Sequence, residues 1–227
     1  MKRIVRIIVL GICIGLVMVV IKESLKIGTD DFMHIYWLAA IGFILGAVLI
    51  NVSYNLHYQQ KVQEAIKLLE DGQTHEYISA LQKMLKTAKG QNLRNVLSLD
   101  LAAGYVEAKE FDVAIPMLEE LLSKRLVGSG VKAVHRINLC MSYFDTEQYD
   151  KAVALYDESQ KIFEQYRSDK LFGANIAILD IFIAMQSKQY ERARKILHMA
   201  EKTYDAPRYQ KAFCEVAEIL TKTDEQS

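Results

Sequence analysis

Two kinds of hydrophobic pattern divide this sequence. In residues 4–21, IVRIIVLGICIGLVMVVI, and 35–50, IYWLAAIGFILGAVLI, apolar residues follow one another almost without a break. Further along they recur three and four apart, the spacing that puts them on one face of an α-helix. Alternating β-branched residues are scarce outside the first fifty positions, and only Pro116 and Pro207 interrupt the chain. The pattern predicts an all-α protein. Residues 1–54 form a two-helix transmembrane hairpin, 55–222 a helical domain, and 223–227 a disordered tail.

The predicted spans are about 4–21 and 33–51. At 1.5 Å per residue, eighteen residues cover about 27 Å, close to the roughly 30 Å hydrocarbon core. Arg6 lies near one end, where its stem can carry the charge to the headgroups. Tyr36 and Trp37 at one end of the second run, and Tyr54 and Tyr58 beyond the other, suit the two interfaces. MKRIVR also resembles the n-region of a signal peptide, but the apolar run is long and VIKESLK offers no small-x-small cleavage site, which predicts an uncleaved span. Each run carries a GxxxG, at Gly11/Gly15 and Gly42/Gly46. Such spacing lets helix backbones approach closely, which would support self-association; glycine is also simply common in membrane helices, and both readings stand. Lys2, Arg3 and Arg6 before the first run and Lys61 and Lys67 after the second outnumber Lys22 and Lys26 between them. That bias predicts an integral protein of the plasma (inner) membrane with both termini cytoplasmic.

Beyond the second run one tetrad recurs, an aromatic residue followed two places later by X-Ala: Tyr77-Ile-Ser-Ala80, Phe111-Asp-Val-Ala114, Tyr149-Asp-Lys-Ala152 and Tyr190-Glu-Arg-Ala193, at steps of 34, 38 and 41 residues. In the middle two units a tyrosine, Tyr105 or Tyr143, stands six residues before the aromatic. Over about residues 60–204 this resembles the tetratricopeptide repeat, a 34-residue helix-turn-helix unit. The resemblance implies an α-solenoid of about four helix pairs. Small residues where two antiparallel helices cross would be Ala102 with Ala114 and Cys140 with Ala152, flanked by Leu101 and Leu139. Leu118, Tyr156 and Leu197 would take the large position on the second helix. Leu68 and Ile181 depart from the family's small position in the outer units, and KRLVGSGVK (124–132) reads as a lengthened loop. The last segment, DAPRYQKAFCEVAEILTK, predicts one more helix, capped by Asp205, whose face of Ala212, Phe213, Val216, Ile219 and Leu220 would cover the end of the stack.

The resemblance also implies an inner groove, on Val96, Leu99, Ala103 and Val106, then Ile137, Met141 and Phe144, then Ile178, Phe182 and Met185. A trough of this composition suits an amphipathic helix or an extended apolar peptide. The same residues would be core if the array closed into a bundle, and the sequence leaves both open.

Charge narrows the function classes. The 28 Lys+Arg residues balance 28 Asp+Glu, so no long-range field draws in nucleic acid. Cys13, Cys140 and Cys214 stand far apart, which fits a reducing compartment rather than a disulfide framework. The five histidines show no zinc-type spacing, and no phosphate-binding glycine loop is present. Cys140 and Cys214 read as packing residues and Glu119-Glu120 as a solvated pair. No enzyme activity, metal or cofactor is expected. The expected function is a membrane-tethered scaffold or adaptor that engages a protein or peptide partner at the bilayer. A sensor or regulator binding a peptide or apolar ligand in the groove is the alternative.

Overall fold

In the computed structural model, the described residues are 11, 15–24 and 28–225, and among them every regular element is a helix. Residues 15–24 (α1) precede α2 (Thr29–Glu70), α3 (Thr74–Thr87), α4 (Gln91–Glu107), α5 (Phe111–Leu122), α6 (Ser129–Asp145), α7 (Tyr149–Glu164), α8 (Gly173–Gln186), α9 (Tyr190–Thr203) and α10 (Pro207–Glu225). The chain divides into two compact units, Met1–Gln60 and Lys61–Ser227.

Helix α2, which begins in the first unit and ends at Glu70 in the second, is long and apolar enough to cross a membrane, and none of its most apolar window is buried. Much of the first expected span (4–10 and 12–14) lies outside the described residues. The helix runs unbroken through Asn51 and Ser53, and the Asn55 amide donates back to the Asn51 carbonyl at 2.8 Å. At the opposite end, Lys22 Nζ lies 5.8 Å from the centre of the Phe32 ring.

The second unit is built on one turn used four times. Gly72, Lys109, Glu147 and Lys188 all adopt left-handed backbone, with φ of 76°, 58°, 58° and 55°. In each case this residue donates to the carbonyl three back, and the next donates five back: Gln73 to Leu68, Glu110 to Tyr105, Gln148 to Tyr143 and Gln189 to Ala184. This paired pattern satisfies the carbonyls at a helix end and turns the chain straight into the next helix. Non-glycine residues hold the strained conformation at three of the four turns.

The turns set the true repeat register, and it corrects the first unit. The N–H groups bonded to Glu110, Gln148 and Gln189 belong to Ala114, Ala152 and Ala193; the one bonded to Gln73 belongs to Tyr77. Tyr77 therefore occupies the alanine position, not the aromatic one, and the first step is 37 residues rather than 34. The small residue of that unit's first helix is then Ala65, which is buried, and Leu68 is no departure. A large Tyr77 at a small position needs room, and Gly104 supplies it: a Cβ there would lie 2.8 Å from the Tyr77 ring. Tyr77 is pinned in place by its hydroxyl, which donates to the Asp100 carbonyl at 3.1 Å.

Ala102, Ala114, Cys140, Ala152 and Ala193 are fully buried, where sequential helices cross. Of the tetrad aromatics only Tyr77 is buried; Phe111 and Tyr190 are half-buried and Tyr149 is exposed, because each starts its helix beside solvent. Helices α4, α6, α8 and α10 touch in succession and form one layer, with α3, α5, α7 and α9 outside it. One core cluster centres on α4–α8 and another on α8–α10, with Met141 and Phe182 packed against both.

Several local expectations change. The α5–α6 connection is 123–128, since residues 129–132 are already helical. Ala206, not Asp205, accepts the first bonds of α10. That helix runs to Glu225, three residues into the expected tail. Cys214 is exposed, because it stands about 100° around α10 from the buried Phe213. Glu119 is half-buried rather than solvated, accepting from the Tyr143 hydroxyl at 2.7 Å and from Lys151 at 3.4 Å.

Candidate functional site

The inner layer of the second unit carries a cleft of about 980 Å³. Its floor comes from Val106 on α4, Met141 on α6, and Ile178 and Phe182 on α8. Phe182 is steadied by Phe144, ring centroids 5.3 Å apart. Phe111 and Leu69 close one side. The other side is α10, through Tyr209, Ala212, Val216 and Ile219.

The ten groove positions expected from the sequence therefore separate. Val106, Met141, Ile178 and Phe182 line the cleft. Leu99, Ile137 and Phe144 are buried in the first core cluster and Met185 in the second. Val96 and Ala103 are half-buried and outside the cleft lining. Helix α10 was expected only as an end cap. It packs on α8 as well as α9, so its Ile219, 46% exposed, becomes part of the cleft wall. The clue was available in the sequence: Ala212, Val216 and Ile219 form a second apolar row beside Phe213 and Leu220.

Charge is concentrated at the rim. Glu70, Glu107, Asp145 and Glu215 stand against Lys109 and Lys211. Burial raises the Asp145 carboxyl above its ordinary range, partly offset by Lys109. No group of three or more His, Cys, Asp or Glu residues suited to a metal occurs among the described residues. Burial pushes the Cys140 thiol up to about 12, so it carries no thiolate at neutral pH. A comparison with protein-family models, curated proteins and solved structures found no match.

Beneath the Tyr77–Gly104 contact, burial pushes the Asp100 carboxyl up to about 6 from an ordinary 3.8. The folded state thus holds this proton more tightly than the unfolded chain. Ionisation of Asp100 erodes stability as pH rises from 3.8, and the loss is complete above about pH 6. Asp100→Asn is expected to stabilise the protein at pH 7 by about 1–2 kcal/mol, less than the full two-unit difference because the group is partly solvated. Melting curves for the two proteins should converge below pH 4. A stability gain independent of pH would show that ionisation is not the cause.

Proposed function

We propose that this chain is a membrane-tethered scaffold or adaptor. In this reading, α2 and the apolar run before it form a two-span hairpin with both termini cytoplasmic. The second unit is a tetratricopeptide-like α-solenoid that holds a partner segment beside the bilayer. The Lys22–Phe32 contact across the short loop fits a hairpin, and the four repeated turns fit a solenoid built from helix pairs. The observation that carries the reading is the cleft: an apolar floor under a rim of four carboxylates and two ammonium groups. Charge complementarity then selects the occupant, an amphipathic protein segment with an apolar face and basic flanks.

The test uses the full chain in phosphatidylcholine nanodiscs. Two labelled synthetic helical peptides share one leucine face, one flanked by lysines and the other by glutamates. The lysine peptide should bind more tightly than the glutamate peptide, beyond its binding to empty discs. Glu107→Lys/Glu215→Lys, at exposed positions, should weaken it about tenfold, as loss of two charge-assisted contacts implies. Equal binding of the two peptides, or no effect of the double variant, would remove the cleft from the function.

A further inference from the structure

The α5–α6 connection closes a smaller cavity of about 310 Å³ against the first half of α6 and Ile162 of α7. Lys124, Arg125, Lys132 and Arg136 line it, and no carboxylate does among the described residues. Two of these cations are compensated from outside the lining, Lys124 by Glu120 at 3.2 Å and Arg136 by Glu158 at 3.0 Å. The side chains of Arg125 and Lys132 have no carboxylate partner among the described residues. Most telling is Arg136 itself. Its Nη2 meets Glu158, while Nη1 is shielded from solvent and has no hydrogen-bond partner among the described residues. A guanidinium donor withdrawn from water without an acceptor is costly, and such donors are met by protein groups, ordered water or a bound ion.

We propose that this cavity is an oxyanion site for a phosphate monoester. A phosphate monoester carries about −1.5 to −2 at neutral pH, matching the two uncompensated cations, whereas a lone carboxylate would leave one of them unmatched. Its several acceptor oxygens can bridge the Arg125 guanidinium and the Lys132 ammonium. The volume lies at the small end of the roughly 300–1,000 Å³ typical of ligand pockets, room for a phosphorylated small polyol or headgroup but not for a nucleotide-sized ligand. Nearby His135 is not a competing donor. Its Nε2 is bonded to the Leu118 carbonyl at 2.7 Å. The site shares no lining residue with the cleft, so it stands or falls apart from the scaffold reading.

The probes are glycerol 3-phosphate and inorganic phosphate, titrated calorimetrically into the full chain in phosphatidylcholine nanodiscs, with sodium chloride at matched ionic strength as control. One saturable site is expected. Arg125→Gln/Lys132→Gln, both at exposed positions, should weaken it at least about tenfold. Heats indistinguishable from the chloride control, or affinity unchanged in the double variant, would overturn the proposal. Discs containing phosphatidic acid identify the source: competition with glycerol 3-phosphate assigns a lipid headgroup, and its absence assigns a soluble phosphate ester.

Discussion

Asp180→Ala is expected to destabilise the second unit by about 3 kcal/mol, the low end of the cost of breaking a buried ion pair. Asp180 sits on α8 with only 15% of its side chain exposed. It accepts from the Tyr156 hydroxyl on α7 and from the Arg167 guanidinium in the connection between the two helices. Arg167 also reaches Glu164 at 2.7 Å and Gln160 at 3.3 Å, and its carbonyl takes the Tyr204 hydroxyl at 2.6 Å. Tyr209 donates to the Leu171 carbonyl at 3.1 Å. One carboxylate thus anchors the long 165–172 connection, which Tyr204 just after α9 and Tyr209 on α10 also hold. Removing it leaves the half-buried guanidinium with Glu164 and Gln160 alone and takes the acceptor from a phenol that lies largely out of water. Asp180→Asn keeps an acceptor for Tyr156 but not the charge, and should cost clearly less than the alanine. Chemical denaturation of all three proteins checks this. An asparagine variant as stable as the wild type would mean that the ion pair contributes nothing, and equal losses for the two variants would mean that the retained amide acceptor does not help.

Gly104→Leu is expected to cost up to about 3 kcal/mol, the upper end for overpacking a close-packed contact, despite leucine's better helix propensity. The added side chain would enter the space filled by the Tyr77 ring, whose nearest carbons lie 2.8 and 2.9 Å from the site of a Cβ at Gly104. The ring cannot swing away without losing its bond to the Asp100 carbonyl. Tyr77→Ala alone should cost a similar amount by leaving a cavity. In combination the two should be much less damaging than their sum, because Tyr77→Ala restores the alanine found at the matching position of the other three units. A double-mutant cycle measures the coupling directly. Additive losses would mean that Tyr77 and Gly104 do not trade volume, and would undo the corrected register.

Helical period, the scarcity of proline and the recurrence of alanine at crossing points determined most of this protein from its sequence alone. These are local properties. Small residues let two helix axes approach closely, so Ala102, Ala114, Cys140 and Ala152 mark crossings whatever the arrangement of the pairs. The long apolar run in α2 is likewise a matter of composition and length. What the sequence could not supply was the register of the first unit, because an aromatic at a small position resembles an aromatic at its own. Only the turn hydrogen bonds at Gly72–Gln73 and the space left by Gly104 distinguish the two, and both are contacts across the fold. The cleft was also decided at that level. Whether Leu99 or Met141 faces a cleft or a core depends on how neighbouring inner helices splay and on where α10 comes to lie, and no spacing within one helix encodes the position of another. The cationic cavity gathers side chains from a connection and the next helix. Its character comes from Arg125 and Lys132, two lining cations that no carboxylate compensates among the described residues.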